Sequence, residues 1–372
     1  MRTLLAICCL LVPLAVRAQT NDARLSEWDQ QLTKLRREHQ LPGLAAAVVI
    51  DHKPAWSKGY GFADADAEVA VTPDTPFWIA SVTKTFIGLL FLQLEAEGKI
   101  SLDDRIADVP DWADFCEWFS TSGIIFGRDI RCDEPITIRN ILNHTSNGEP
   151  GTRFFYNPFL YSRLSRYIEF KLGGSVDDVE GRHNTMAQLV ESHILKPAGM
   201  SRTMASQWQR EKALVFFDMA SGFGVDEEGE IIPRPRPERE LAGGAGIVAT
   251  VDDLAKYDVA LDTNVLGDKK LMAKLFTPAR SKDGKTLPYA FGWYVQEYRG
   301  ERLLWHSGWD EEAGYSALFL KIPDRALTLI LLANGEGLWW ENPLDGAAVE
   351  RSPFAATFLD LFVFQGAATN KK

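Results

Sequence analysis

The sequence predicts an α+β fold in which one antiparallel sheet, built from both ends of the chain and flanked by helices, carries an inserted all-helical lobe. Three observations lead there. Both ends contain short β-branched runs joined by tight turns, as antiparallel neighbours do. Residues 83–260 carry successive helical patterns and few strand signals. The 372 residues are 46% hydrophobic and 24% charged, which supplies a large core and excludes a disordered or fibrous chain.

The elements follow in order. Residues 25–39 have helical charge and apolar spacing. Residues 44–50 are apolar and β-branched, 51–54 are turn chemistry, and 56–62 alternate with glycine, which reads as a hairpin. Phe86, Ile87, Leu89, Leu90, Phe91, Leu92 and Leu94 then cover nearly every face of a helix before Gly98 ends it, and a helix apolar all round is a buried one. Helical patterns at 137–143, 159–172, 184–195 and 251–261 follow; the last opens on Thr250 with Asp253 three residues on, close to a capping box. Strand patterns return at 290–298, 302–306, 316–322 and 326–333, separated by turns at Arg299-Gly300 and Pro323-Asp324. No repeat, low-complexity tract or linker marks independent domains, so 19–372 reads as one unit with a sheet lobe of about 22–80 plus 262–365 and a helical lobe of about 81–261.

Charge and cysteine usage narrow the function classes. Against 40 Lys+Arg stand 51 Asp+Glu, a net charge of -11 with no basic stripe, which argues against nucleic acid or an anionic membrane as partner. Arg2, an apolar run over 4–14 and the small-residue end Val16-Arg17-Ala18 read as a signal peptide over 1–18, placing the protein in a secreted or periplasmic setting. Its removal leaves 38 basic against 51 acidic residues, a charge of -13. No other run approaches about 18 apolar residues, so no stable membrane insertion is expected. The four cysteines make no CxxC pair or Cys/His cluster, which excludes structural zinc and iron-sulfur sites. Cys116 and Cys132 remain after the leader is removed and are expected to pair in an oxidising compartment, closing a loop of about 15 residues worth roughly 3 kcal/mol. The enclosed Trp118, Phe119, Ile124, Ile125 and Phe126 mark a packed excursion.

A search for nucleophiles finds no G-x-S-x-G elbow and, among six histidines, no HExxH. S-x-x-K occurs once, at Ser81-Val82-Thr83-Lys84, where strand and loop sequence gives way to the buried helix. Ser81 then sits at a helix N-terminus with Lys84 one turn later on the same face. The helix end favours a developing alkoxide, and a desolvated ammonium has a lowered pKa, which together activate a serine without histidine. On spacing alone, an ordinary capping serine with a solvated lysine fits equally well.

The wider sequence resembles a family. Gly59-Tyr60-Gly61-Phe62-Ala63-Asp64 and the run from Pro73 to Lys84 are similar to the first block of the serine β-lactamase and penicillin-binding-protein-like hydrolases, in the branch close to class C β-lactamases. Ile136-Thr137-Ile138-Arg139-Asn140-Ile141-Leu142-Asn143-His144-Thr145-Ser146, then Pro150-Gly151-Thr152-Arg153-Phe154-Phe155-Tyr156, then Gly243-Gly244-Ala245-Gly246 and His306-Ser307-Gly308 follow in the family's order. The resemblance implies a β-lactamase/transpeptidase-like fold, Ser81 as acylated nucleophile, Lys84 and Tyr156 as proton carriers, and an oxyanion hole from the N–H groups of Ser81 and Trp309. The Tyr156 phenol, ordinarily near 10, would need Lys84 to lower its pKa before serving as a base. No metal or organic cofactor is implied.

Two departures bear on substrate. His306-Ser307-Gly308 stands where β-lactamases have K-T-G, so a conditional cation replaces the lysine that attracts a substrate carboxylate. Pro158 stands where the Y-x-N asparagine belongs, leaving Asn157 as its candidate replacement. The aromatic excursion with Trp309, Trp339 and Trp340 either shapes an apolar entrance or packs the core. The resulting expectation is a secreted serine hydrolase cleaving a small-molecule ester, amide or peptide through an acyl-enzyme, carboxylesterase-like or D-amino-acid peptidase/amidase-like. The alternatives are a D,D-carboxypeptidase or β-lactamase, and a non-catalytic ligand-binding relative.

Overall fold

The computed structural model describes residues 23–64, 67–174, 184–206, 209–237 and 240–365; the leader expected at 1–18 lies outside them. Eight antiparallel strands form one sheet. Its members are β1 (Gly43–Ile50), β2 (Lys53–Asp64), β3 (Val69–Ala70), β4 (Tyr289–Ala290), β5 (Trp293–Tyr298), β6 (Glu301–Asp310), β7 (Tyr315–Ile322) and β8 (Leu327–Ala333). They lie in the order β3-β2-β1-β8-β7-β6-β5-β4. The chain's two ends meet at its centre, where Leu44 pairs with Ala333 and the register runs to Ile50 opposite Leu327.

Both faces of this sheet are covered, which is why its strands read as unbroken apolar runs. On β1, Ala45, Ala47 and Val49 enter the core shared with the helical lobe. Leu44, Ala46 and Val48 enter a second core on the opposite face. Helices α1 (Ala23–Glu38) and α10 (Pro353–Leu359) cap that second core. The α1 stripe of Leu25, Trp28, Leu32 and Leu35 is buried at helical spacing, with Trp28 edge-on to Phe358 at 5.2 Å.

The other side of the sheet carries α2 (Thr83–Ala96), α3 (Trp112–Thr121), α4 (Ile138–Leu142), α5 (Pro158–Ser162), α6 (Leu164–Leu172), α7 (Thr185–Val190), α8 (Val251–Asp262) and α9 (Lys269–Phe276). The helix expected over 159–172 is divided at Arg163, and the last turn of the 184–195 helix widens into π geometry at Glu191–Leu195. The capping box belongs to Thr137 and Asn140. Thr250 does cap α8, but the Asp253 carboxylate turns away to Arg202 N–H and Thr203 Oγ1. Because α8 packs on β1, β2 and β8, the sheet lobe resumes before residue 262. Cys116 and Cys132 form the disulfide, 16 positions apart in sequence. No helix among the described residues is long and apolar enough to cross a membrane.

The sheet holds α2 by direct backbone contact. A Cβ at Gly88 would lie 1.7 Å from the Phe291 carbonyl oxygen, and one at Gly292 would lie 2.1 Å from the Lys84 carbonyl oxygen. The turn between β4 and β5 therefore rests on the helix backbone just past Lys84. Helix propensity alone favours Gly88→Ala by about 1 kcal/mol. The close approach reverses that sign, so we expect Gly88→Ala to lose about 3 kcal/mol or more, read as a lower urea midpoint at unchanged slope.

Candidate active site

Ser81 lies in a 3₁₀ turn, Ala80–Val82, that runs directly into α2. Ala80 is held at φ 43, a left-handed conformation costing a non-glycine residue of order 1–3 kcal/mol. Its neighbours hold it there: Ile79 N–H donates to the Ile247 carbonyl at 3.1 Å and Val82 N–H to the Ile79 carbonyl at 3.1 Å. The third side is closed by Gly308, where a Cβ would sit 2.3 Å from Ile79 O and 3.2 Å from Ala80 Cβ. The last residue of the His306-Ser307-Gly308 motif is thus a glycine because β6 presses on the nucleophile's turn. Strand β5 pairs with β6 only as far as Trp305, so residues 306–310 leave an edge free of strand beside that turn.

Lys84 has 0% of its surface exposed. Its Nζ lies 2.8 Å from Ser81 Oγ and donates to the Gly244 carbonyl at 2.7 Å. It also lies 5.3 Å from the centroid of the Tyr156 ring and 5.5 Å from that of Tyr161. No acid pairs with it among the described residues. Burial pulls its pKa down to about 7, so a large share of the amine is unprotonated near neutrality and free to take the Ser81 proton.

Tyr156 is half-buried over the same pair. Burial pushes its phenol above the ordinary tyrosine value, and its hydrogen bond with Ser81 opposes this only in part. The expectation that Lys84 lowers this pKa is therefore corrected. Desolvation outweighs the hydrogen bond with Ser81, and Tyr156 stands as a neutral proton donor rather than a phenolate.

His144 holds Tyr156 from behind. Its carbonyl accepts Phe155 N–H at 2.8 Å and its Nδ1 accepts Asn157 N–H at 3.0 Å, so the two hydrogen bonds straddle Tyr156. The ring lies 4.5 Å from the Tyr156 ring, and burial keeps it neutral. Since Nδ1 accepts a main-chain N–H, the ring proton sits on Nε2. In the sequence this residue is visible only as part of a motif block; nothing in its spelling marks it as a clamp.

Several expected site residues sit elsewhere. The Asn157 amide is turned away from Ser81: it caps α5 at Leu160 N–H, and donates to the Phe126 carbonyl at 2.8 Å and to Asn147 Oδ1 at 3.0 Å. It does not replace the missing asparagine, because Asn157-Pro158 is helix-start chemistry. His306 is 1% exposed, its Nδ1 donates to the Ser307 carbonyl and its Nε2 accepts from Tyr289 Oη at 2.9 Å. Burial first, then the Lys84 charge, lowers its pKa to about 3, so it is a neutral residue and not a conditional cation. Trp309 and Trp339 stack at 4.5 Å and are 38% and 40% exposed, whereas Trp340 is 7% exposed and packs on Trp305 in the second core. In the excursion Phe119 is buried against Phe159, and Trp118 faces solvent.

A serine paired with a desolvated lysine at the head of a buried helix, with a protonated tyrosine above both, defines the nucleophile site of a serine hydrolase. The chain belongs to the beta-lactamase family, whose model matches residues 28–350. It is 26% identical over 313 residues to a D-aminopeptidase of Brucella anthropi, covering 80% of this chain and 56% of the relative. It is 27% identical over 335 residues to Protein flp of Staphylococcus aureus (strain MW2), covering 84% and 64% respectively. The chain therefore spans less than two thirds of the length of these curated relatives. Among solved structures, the octameric penicillin-binding protein homologue from Pyrococcus abyssi superposes with a TM-score of 0.71 at 22% identity, over 92% of this chain and 77% of that one, and shares the fold.

The pKa values set the pH dependence. Lys84 must lose its proton to act as acceptor, so kcat/KM for a neutral ester should rise about tenfold per pH unit below 7 and level off above it. The high Tyr156 value predicts no falling limb at moderately alkaline pH. For the clamp, His144→Leu should lower kcat about 100-fold with KM little changed, and His144→Asn, which keeps an acceptor near Nδ1, should recover part of the loss. Steady-state kinetics on folded variants, checked by circular dichroism, reads both.

Proposed function

We propose that this protein cleaves a neutral or amine-bearing ester, amide or peptide through an acyl-enzyme on Ser81. The observation that carries the reading is the 2.8 Å contact between Ser81 Oγ and the fully buried Lys84 amine. Ser81 Oγ attacks the carbonyl carbon as its proton passes to Lys84. The N–H groups of Ser81 and Trp309 take the oxyanion, and Tyr156 hands a proton to the departing alcohol or amine while the proton held on Lys84 replaces it, so that both return to their starting forms. Water then attacks the ester carbonyl, the Ser81 Oγ–carbon bond breaks, and the acid leaves as Ser81 regains its proton. The same contact weighs against a non-catalytic binding protein.

The reading of substrate rests on charge. With His306 neutral, the third motif offers no cation for a substrate carboxylate, which disfavours β-lactams and peptides ending in D-Ala. Past it, Asp310, Glu311 and Glu312 follow Trp309, and Glu336 accepts from Trp309 Nε1 at 3.0 Å, so the rim nearest the motif is acidic. The likeness to D-aminopeptidases supports an amide whose acyl part bears an ammonium. Export is part of the proposal, supported by the leader-like 1–18 and by a Cys116–Cys132 disulfide, which persists in oxidising compartments.

Intact-mass spectrometry after exposure to p-nitrophenyl acetate, a D-alanine p-nitroanilide and a penicillin tests this. Wild type should gain an acyl mass with the ester and turn over the anilide, Ser81→Ala should do neither, and the penicillin adduct should be scarce. No adduct and no turnover with any of the three would sink the hydrolase reading.

A further inference from the structure

A cavity of about 370 Å³ opens between α8, α9 and the face of β6 and β7, and it shares no residue with the Ser81 site. Half of its lining residues are apolar, among them Leu261, Met272, Phe276 and Leu304. Its polar groups divide into paired and unpaired. Lys321, 3% exposed, is held by Asp258 and by Asp262 at 3.2 Å, and Asp262 also takes His52 at 3.0 Å. Arg302 is different. Its guanidinium donates to the Phe276 carbonyl, and no acid pairs with it among the described residues. Lys269, at the rim on the first turn of α9, likewise has no acidic partner there.

Arg302 and Lys269 thus stand on this cavity without an acidic partner among the described residues, although the chain as a whole carries a net charge of -11. One arginine fork matches a carboxylate in two-point geometry, and the apolar side chains of Met272, Phe276 and Leu304 beside it favour an apolar body over a second charge. At the ~30 Å³ that a water occupies in the liquid, the volume has room for on the order of ten non-hydrogen atoms. We propose that this cavity binds a small apolar monocarboxylate, its carboxylate on Arg302 and Lys269 and its chain against Met272, Phe276 and Leu304. The site bears on the helix that grips α2. Tyr257, next to Asp258, stacks on Phe86 at 4.1 Å, and its Oη donates to the Thr85 carbonyl at 3.2 Å, one residue past Lys84.

Titration calorimetry of the full chain with sodium octanoate, and with octanamide as the uncharged body of the same shape, tests the assignment. Octanoate should bind at one site in wild type and equally in Ser81→Ala, which separates this cavity from the catalytic serine. Arg302→Gln should weaken it about tenfold, octanamide should bind about tenfold more weakly than octanoate, and Ala273→Trp, which fills the cavity from the exposed face of α9, should abolish binding. If Arg302→Gln does not fold by circular dichroism, Lys269→Gln and Ala273→Trp decide. No binding by wild type, loss of binding in Ser81→Ala, or retention of full affinity in Ala273→Trp overturns the proposal.

Discussion

The whole site depends on keeping one amine out of water. A lysine with no exposed surface and no carboxylate partner among the described residues costs several kcal/mol in its charged form, and in the proposed mechanism the neutral amine is what the serine needs. The apolar circumference of α2 provides the dry surroundings, and the Gly244 carbonyl provides the hydrogen bond that points the amine at Ser81. Gly88, Gly292 and Gly308 do the rest by letting backbone touch backbone: the β4–β5 turn sits on α2, and β6 sits on the Ser81 turn. A Cβ at any of the three would push the helix or the turn away and admit water to Lys84.

The same dryness sets the roles of the neighbours. Tyr156 and His306 are ionisable side chains of different kinds, yet burial drives both to their neutral forms, one as a donor and one as a fixed hydrogen-bond bridge between Ser307 and Tyr289. Lys84 is then the single group of the three that changes charge near neutral pH. Around it, the loop between α4 and α5 satisfies backbone groups one by one. Asn143 takes Phe291 N–H at 3.1 Å, His144 takes the peptides on either side of Tyr156, and Asn147 donates to the Phe126 and Arg128 carbonyls. Through Asn147 and Asn157 the disulfide-closed excursion is fastened to the segment carrying Tyr156.

Much of this was legible in the sequence because it is local. The α2 helix announces itself by being apolar on nearly every face, the hairpins by short turns, and Ser81 with Lys84 by one-turn spacing at a strand-to-helix junction. What escaped was decided by long-range burial. Asn157 reads the same whether it faces a substrate or caps α5, and only the packing of the excursion chooses. Trp339 and Trp340 are adjacent letters, yet the first lies on Trp309 at the surface and the second on Trp305 in the core. Helix α3 was not legible because Trp112, Phe115, Trp118 and Phe119 obscure any polar face, and α8 looked like part of the helical lobe because its contacts with β1 and β8 come from the far end of the chain.

A buried lysine also ties stability to activity. Its folded pKa is lowered to about 7 while the unfolded chain holds its proton to about 10.4, so between these values the unfolded state binds more protons. Stability therefore rises with pH across that window, and the full cost of burying the ammonium is felt below it. On the proposed mechanism, catalytic competence rises through the lower edge of the same window, since both follow from one deprotonation. The strained Ala80 and the desolvated Lys84 act in the same direction: each makes the folded state less stable than an inert core would be, and each is kept because the geometry it imposes is the geometry of the nucleophile.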